Sequence, residues 1–195
     1  KNTKRIDSIF NQNKPEIIFH AAALKHVPIV EKNPLEGILT NVHGTINIAE
    51  SCIKHNIAEM VLISTDKAVN PFSVMGVTKR ISEKYCQSLT TLSKTNFKIV
   101  RFGNVLGSTG SVVPLFQKQL EKGGPLTVTH PKMKRYFMTV REAVELVIQS
   151  ATLENKTKKS GIFVLEMGHP IAIVEIAEQI IRLAGLRPNK DIKIN

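Results

Sequence analysis

The sequence has few cysteines and aromatic residues, and it lacks long apolar stretches. It contains two Cys, Cys52 and Cys86, together with two Tyr and no Trp. Two cysteines form neither a zinc quartet nor a disulfide framework, so we expect no metal site and a reducing, cytoplasmic location. No apolar run approaches the roughly 18–20 residues of a membrane span, and the polar first residues do not resemble a secretory signal. We therefore expect a soluble protein.

Acidic residues are scarce relative to basic ones. The chain has 16 Asp and Glu against 27 Lys and Arg, a formal net charge of +11. Such a surplus attracts polyanions, which include nucleic acids, anionic lipids and phosphorylated small molecules. A nucleic-acid partner is not expected, because the sequence has few aromatic side chains for base stacking and no recognisable nucleic-acid-binding module.

The order of apolar segments predicts an α/β fold. Short β-branched runs alternate with longer segments of helical period, which is typical of a parallel sheet with crossover helices. Strands are predicted at 16–20, 60–65, 97–102 and 162–166, and helices from Pro34 onward and at 74–92, 114–122, 140–153 and 173–184. In the helix that begins at Pro34, one apolar face is expected to lie on the sheet. Its residues are Ile38, Val42, Ile46, Ala49 and Ile53.

A glycine-rich G-x-G-x-x-G turn between a strand and a helix is absent from the sequence. The nearest set, Gly103, Gly107 and Gly110, has the wrong spacing for a dinucleotide-binding turn. We therefore expect a Rossmann-like, doubly wound parallel sheet whose N-terminal βαβ unit is missing, as part of a longer protein. Residues 1–105 are expected to form the truncated Rossmann domain. Residues 106–195 are expected to form a mixed region with a small subdomain and the returning strand 162–166.

Polar residues follow three of the predicted strands at the point where each strand ends. The segments are HAAALKH from His20, STDK from Ser64 and RFGN from Arg101. Because the carboxyl ends of parallel strands border the ligand crevice, these residues are candidates for one site. Ordinary turn hydrogen bonds are the alternative interpretation of each segment taken alone.

Two further segments carry chemically suitable side chains. Met75 and Lys79 are four residues apart and share a helix face, which would point toward the strand that carries Thr65. Core packing of Met75 and a solvated charge at Lys79 are the alternatives. The basic segment 130–136 suits a diphosphate, with a solvated loop as its alternative.

Five long segments together resemble one family. They are HAAALKHVP, TNVHGTIN, LISTDKAVNPFSVMGVTKR, VRFGNVLGSTGSVVPLF and TVTHPKMKRYFMTVREAVEL. In order and over nearly the whole chain, they resemble the CapD family of bacterial polysaccharide biosynthesis, nucleotide-sugar dehydratases of the extended short-chain dehydrogenase/reductase group. The resemblance implies NAD as cofactor, with NADP as an alternative, and a UDP-sugar substrate bound in part by the region 106–195. It also implies a homo-oligomer, with the parent protein anchored on the cytoplasmic face of the inner membrane.

The same resemblance implies roles for individual residues. The implied catalytic residues are Thr65, Asp66, Lys67, Met75 and Lys79. The implied cofactor-binding residues are His20, Ala21, Ala22, Ala23, Ser64, Lys79 and Phe102. The implied substrate-binding residues are Lys25, His26, Asn104, Val113, Pro114, His130 and Arg135.

The reaction that the resemblance implies is 4,6-dehydration of UDP-N-acetylglucosamine. Oxidation of C4 acidifies the C5 proton, and a base and an acid, Lys67 and Asp66 by resemblance, then eliminate water across C5 and C6. Met75 stands where most of the superfamily has Tyr. A UDP-hexose 4-epimerase and a catalytically inactive nucleotide-sugar-binding module are the alternatives. Without a glycine-rich phosphate loop, we expect these 195 residues alone to bind NAD weakly or not at all and to be inactive.

Overall fold

The computed structural model describes residues 2–153 and 161–195. Its strands are β1 (Ile17–His20), β2 (Glu59–Thr65), β3 (Asn96–Phe102), β4 (Asn104–Val105), β5 (Lys134–Arg135), β6 (Phe137–Met138), β7 (Ile162–Val164) and β8 (Ile171–Ala172). Its helices are α1 (Thr3–Asn13), α2 (Val27–Lys32), α3 (Pro34–Gly37), α4 (Gly44–Lys54), α5 (Val74–Leu89), α6 (Val112–Glu121), α7 (Val140–Thr152) and α8 (Ile173–Leu183).

The chain divides into two compact units. The first unit comprises Lys1–Phe102 and Leu146–Leu165, and the second comprises Gly103–Glu145 and Glu166–Asn195.

A four-stranded parallel sheet forms the centre of the first unit. Its strand order is β1-β2-β3-β7, and all three pairings are parallel. The predicted strands are confirmed, although the last ends at Val164, two residues earlier than expected. The central residues of β2 are a continuous apolar run because the strand is buried, as is usual in parallel sheets. Most of β3 is buried as well, although it contains Lys98, which pairs with Glu59.

The core of the first unit lies between the sheet and the helices α1, α4 and α5. Its buried members are Phe10, Ala49, Cys52, Ile57, Met60, Leu62, Cys86, Phe97 and Ile99. The two cysteines are free thiols inside α4 and α5. Helix α1, which the sequence did not predict, joins this core through Phe10 and through Asp7, which receives hydrogen bonds from Ser51 and Lys54 of α4.

The predicted continuous helix after Pro34 is wrong in one respect. Helix α3 passes into a π-helical turn, Ile38–His43, before α4 begins. A π-helical turn carries more residues than an α-helical turn, so it shifts the buried face around the helix. Val42 and Ala49 are buried as predicted, but Ile38 is 42% exposed. The polar residues Asn41 and Thr45 take buried positions instead.

The second unit has its own core between α6 and α8. Its buried members are Phe116, Leu126, Ile173, Ile176, Ala177, Ile181 and Ile192. Two short strand pairs complete it, parallel β4 with β6 and antiparallel β5 with β8.

Within residues 2–153 and 161–195, no helix combines the length and the hydropathy that crossing a membrane requires.

Candidate active site

The first group of candidate residues lies where β2 ends. Thr65 closes the strand, and Asp66–Ala68 form a 3-10 turn. The Thr65 hydroxyl donates to Asp66 Oδ1 at 2.9 Å, and the Lys67 ammonium donates to the same oxygen at 3.0 Å. All three side chains are half-buried. A hydroxyl, a carboxyl and an amine are therefore linked in one hydrogen-bonded group.

Helix α5 begins beside this group. Ser73 caps the helix, because its hydroxyl accepts from the Gly76 amide at 3.1 Å. A Cβ on Gly76 would overlap the carbonyl oxygen of Lys67, so only glycine allows this close approach. Met75 on the same turn is 4% exposed. The first turn of α5 is thus packed directly on the turn that carries Asp66 and Lys67.

Lys79 lies one helical turn further along α5. Its ammonium donates to the carbonyl oxygen of Ile63 in β2 at 2.6 Å, and the residue is 7% exposed. Burial lowers the pKa of Lys79 to about 8, although the nearby Glu83 and Cys86 oppose this shift. The prediction that α5 directs Lys79 toward the strand of Thr65 is confirmed, and the alternative of a solvated charge is wrong.

His20 closes β1 as a buried, neutral imidazole. Its Nε2 lies 3.1 Å from the Thr45 hydroxyl, which donates its own proton to the Asn41 carbonyl at 2.6 Å. The Thr45 oxygen must then accept, so Nε2 of His20 carries the proton. Burial, together with the charge of Lys79, lowers the pKa of His20 to about 4. A cofactor contact by His20 stays a prediction.

Asn41, in the π-helical turn, links the segment after β1 to α5. Its amide oxygen accepts from the Leu24 N–H at 2.7 Å, and its amide nitrogen donates to the Leu24 carbonyl at 2.9 Å. The same nitrogen donates to the Thr78 hydroxyl at 2.9 Å. Because Thr78 lies next to Lys79, Asn41 fixes the segment after β1 relative to α5.

The remaining candidates of the first unit lie on the segments after β1 and in β2 and β3. Ala21, Ala22 and Lys25 are exposed, and Ala23 and His26 are half-buried. Ser64 is buried in β2, and Phe102 is half-buried at the end of β3. The small side chains after β1 leave its backbone open to a ligand.

The other substrate-binding candidates belong to the second unit. Asn104 lies in β4 and Val113 and Pro114 lie in α6, all half-buried. His130 is exposed, and its Nδ1 accepts from the Lys132 amide at 3.2 Å. Arg135 lies half-buried in β5 and donates to the Lys134 carbonyl at 2.9 Å. Their substrate contacts stay predictions.

Sequence reasoning missed the buried polar residues that support the site. They are Asn41, Thr45, Thr78 and Glu83. Asn41 and Thr45 lie in the segment TNVHGTIN, where polar residues at helical spacing were the available indication.

A parallel sheet with polar residues after two neighbouring strands, β1 and β2, defines a Rossmann-like α/β protein. The chain belongs to the family described as "Polysaccharide biosynthesis protein", whose model matches residues 1–195.

Three curated relatives show how the similarity is distributed. The chain is 53% identical over 195 residues to the capsular polysaccharide biosynthesis protein CapD of Staphylococcus aureus, covering 100% of this chain and 32% of CapD. It is 41% identical over 151 residues to a UDP-glucose 4-epimerase of Rickettsia canadensis, and the match covers 76% of this chain and 44% of the epimerase. It is 39% identical over 139 residues to a UDP-N-acetylglucosamine 4,6-dehydratase (inverting) of Campylobacter jejuni, and the match covers 69% of this chain and 42% of the dehydratase.

Among solved structures, Pen from Bacillus thuringiensis superposes with a TM-score of 0.89 at 34% identity, covering 100% of this chain and 60% of that one. The chain spans about a third of the length of CapD and less than half of the other two curated relatives.

Proposed function

We propose that the protein containing this chain is an NAD-dependent nucleotide-sugar 4,6-dehydratase that acts on UDP-N-acetylglucosamine in bacterial surface-polysaccharide biosynthesis. The observation that carries the proposal is the Asp66 carboxylate, which contacts both the Thr65 hydroxyl and the Lys67 ammonium. The first turn of α5, the helix that carries Met75 and Lys79, packs on this turn through Gly76. The names of the Staphylococcus and Campylobacter relatives support the pathway and the reaction.

The first unit offers contacts that suit the nicotinamide ribose of NAD. One N–H of the Lys79 ammonium is donated to Ile63, which leaves two N–H groups for ribose hydroxyls. The short side chains of Ala21, Ala22 and Ala23 allow a planar ring to approach the backbone. When bound, NAD supplies a reversible two-electron oxidation of the sugar, so that the overall reaction needs no other oxidant. NADP is the alternative cofactor.

Asp66 and Lys67 would carry out the elimination. Proton transfer from the Lys67 ammonium to Asp66 along their 3.0 Å hydrogen bond produces a neutral amine and a carboxylic acid together. Substrate that excludes water from the pair favours this neutral form. Lys67 then removes the C5 proton, and Asp66 protonates the departing C6 hydroxyl, which leaves as water. The pair thus returns to its ionised state.

Thr65 is the proposed proton acceptor for the C4 hydroxyl. The thioether of Met75 has no ionisable proton, so Met75 shapes the pocket instead. The Thr65 hydroxyl already donates to Asp66, so it can take up the C4 proton and pass its own proton to that carboxylate. Asp66 releases this proton to solvent before it accepts the proton of Lys67 for the elimination. In the complete protein, Thr65→Val should slow C4 oxidation by about 100-fold or more, whereas Thr91→Val, at an exposed position after α5, should not. Unchanged turnover of the Thr65 variant would exclude this relay.

Met75→Tyr tests the role of Met75. The variant supplies a phenol, but Thr65 already accepts the C4 proton, so turnover should stay within about threefold of the parent.

The elimination step is tested by Lys67→Met in the complete protein. Dehydration should fall by about 100-fold or more, while C4 oxidation remains visible as absorbance of the reduced cofactor. Lys84→Met, at an exposed position of α5, is the matched control. Dehydration at the parental rate would show that Lys67 is not the base.

A UDP-hexose 4-epimerase is the second candidate, favoured by the similarity to the Rickettsia protein. Epimerisation requires C4 oxidation but neither a C5 base nor a C6 acid, so the Asp66–Lys67 pair supports dehydration. Incubation with UDP-N-acetylglucosamine and NMR of the products distinguishes a 4-keto-6-deoxy sugar from a C4 epimer. No turnover of either kind would favour a binding module without catalysis.

For the complete protein we also propose self-association and a site on the cytoplasmic face of the membrane. Exposed apolar side chains on α2, the turn after α3, and α5 support self-association. Examples are Ile29, Ile38, Val77 and Ile81, which are 40–55% exposed. For the 195 residues alone, we propose that they are inactive.

A further inference from the structure

Glu83 of α5 is a fully buried carboxylate, with 0% exposure, that the proposed chemistry does not use. It accepts from the Ser64 hydroxyl at 2.6 Å and from Nε and Nη2 of Arg101 at 2.7 and 2.5 Å. Arg80 Nη1 lies 3.2 Å from its second oxygen. The two contacts from Arg101 form a bidentate pair, which is geometrically specific as well as strong.

The partners of Glu83 lie immediately before the candidate site residues. Ser64 and Arg101 face each other across β2 and β3 in the sheet register. Ser64 precedes Thr65, and Glu83 follows Lys79 by one helical turn. A single carboxylate therefore holds α5 against two strands at the level where Lys79 reaches β2.

Fold stability alone is a weak reason to keep a buried ion pair. Replacing such a pair by apolar residues of similar volume is often neutral or stabilising. Burial raises the pKa of Glu83, but hydrogen bonds from Arg101 and Ser64 outweigh it, so the pKa of Glu83 is lowered and the group is ionised. A buried carboxylate that stays ionised indicates that the negative charge of Glu83 has a role beyond fold stability.

The negative charge of Glu83 lies one helical turn from Lys79 on α5. The groups that face the Lys79 ammonium are His20 of β1, the Ile63 carbonyl of β2, and Glu83 and Cys86 of α5. His20 is neutral at pH 7, and burial raises the pKa of the Cys86 thiol to about 12, so it is neutral as well. Among these groups Glu83 is the anion, and it is itself paired with Arg101 of β3.

We propose that Glu83 is a positioning residue of the candidate active site, which fixes the ends of β2 and β3 against α5 and keeps the Lys79 side chain protonated. The inference rests on the proposed function for its catalytic consequence, but the state of Lys79 is measurable without any turnover. Loss of the Glu83 charge lets burial lower the pKa of Lys79 further, so that much of the amine becomes neutral at pH 7.

The test is competitive acetylation of the complete protein across pH 5–11, with the peptide that contains Lys79 quantified by mass spectrometry. In Glu83→Gln, the labelling midpoint of Lys79 should fall by about one pH unit or more from the parent value, as expected for a charge lost one helical turn away. In Glu83→Asp, which keeps the charge, the midpoint should return toward the parent value. The midpoint of Lys84, exposed on the same helix, should not move.

The activity of the same variants provides the second readout. In Glu83→Gln, C4 oxidation at pH 8 should fall by about fivefold or more relative to the parent, since less of Lys79 is protonated there. At pH 6, where Lys79 is protonated again, the difference should become smaller. If the proposed function is wrong, this activity is absent in the parent too, while the labelling result still stands or falls by itself.

If Glu83→Gln does not fold because Arg101 is left unpaired, the double variant Glu83→Met/Arg101→Met removes both charges. Its Lys79 midpoint should also fall, because the Glu83 carboxylate, one helical turn away on α5, favours the protonated form of Lys79. A Lys79 midpoint that equals the parent value in a folded Glu83→Gln or double variant would overturn the proposal.

Discussion

At the scale of single residues, His20 makes the stability of the first unit dependent on pH. Its pKa is lowered from the ordinary 6.5 to about 4 by burial and by the charge of Lys79. Between these values the unfolded chain binds a proton that the folded chain does not, so stability is complete above pH 6.5 and falls as the pH decreases toward 4. Between pH 7 and 5, His20 should therefore account for a loss of about 2 kcal/mol in the free energy of unfolding.

His20→Gln tests this expectation, because glutamine retains an N–H donor for the Thr45 hydroxyl but does not titrate. Denaturant unfolding of the protein at pH 7 and pH 5 should show a smaller decrease for the variant than for the parent. His130→Gln, at an exposed position of the second unit, is the control and should behave like the parent. Equal pH dependence of the parent and the His20 variant would contradict the assignment.

At the scale of elements, Gly76 sets the contact between α5 and the turn Asp66–Ala68. An added methyl group overlaps the Lys67 carbonyl and also meets Pro71. Gly76→Ala should therefore displace the turn that carries the candidate acid and base, at a cost of about 1–3 kcal/mol. Turnover should decrease, and amide hydrogen exchange in residues 65–69 should become faster, even where the variant remains folded.

Gly44→Ala is the matched control for this change. Gly44 is also a helical glycine, with φ −58° and ψ −44°, but no atom lies within 4 Å of its added Cβ. Alanine there should leave turnover unchanged and stabilise α4 by about 0.5–1 kcal/mol. If Gly76→Ala behaves like Gly44→Ala, the close approach of α5 to the turn does not matter for the site.

The elements also show what periodicity can and cannot predict. The run MVLI lies in the buried strand β2, because continuous apolar sequence suits a strand covered on both faces. The run FKIVRF lies in β3, which is largely buried although Lys98 interrupts its apolar sequence and pairs with Glu59. The π-helical turn at Ile38–His43 could not be predicted from a period of 3.6, since one extra residue moves Asn41 into the core. Helix α1 was missed because Phe10 is its one buried apolar residue.

For the molecule as a whole, the rule that parallel strands present their carboxyl ends at the same edge predicts where the polar residues after β1, β2 and β3 lie. Lys79 reaches β2 from α5 through its hydrogen bond to the Ile63 carbonyl. The Glu83 network did not follow from any rule of spacing. Its partners, Ser64 and Arg101, are 37 residues apart in sequence and meet only through the register of β2 with β3. Pairings of this kind depend on tertiary structure, which local sequence does not encode.

The 195 residues as a whole contain only part of the contacts that an NAD site needs. The first unit offers Lys79 and the backbone after β1 to the ribose end of the cofactor, but the sequence has no glycine-rich turn whose amides would cradle the pyrophosphate. The 195 residues alone should therefore bind NAD far more weakly than the complete protein does. Calorimetric titration of both, after circular dichroism has shown that the isolated chain is folded, measures the difference. In the complete protein, Lys79→Met should weaken NAD binding because only the contact with the ribose is lost. A micromolar dissociation constant for the isolated chain would instead show that these 195 residues suffice to hold the pyrophosphate.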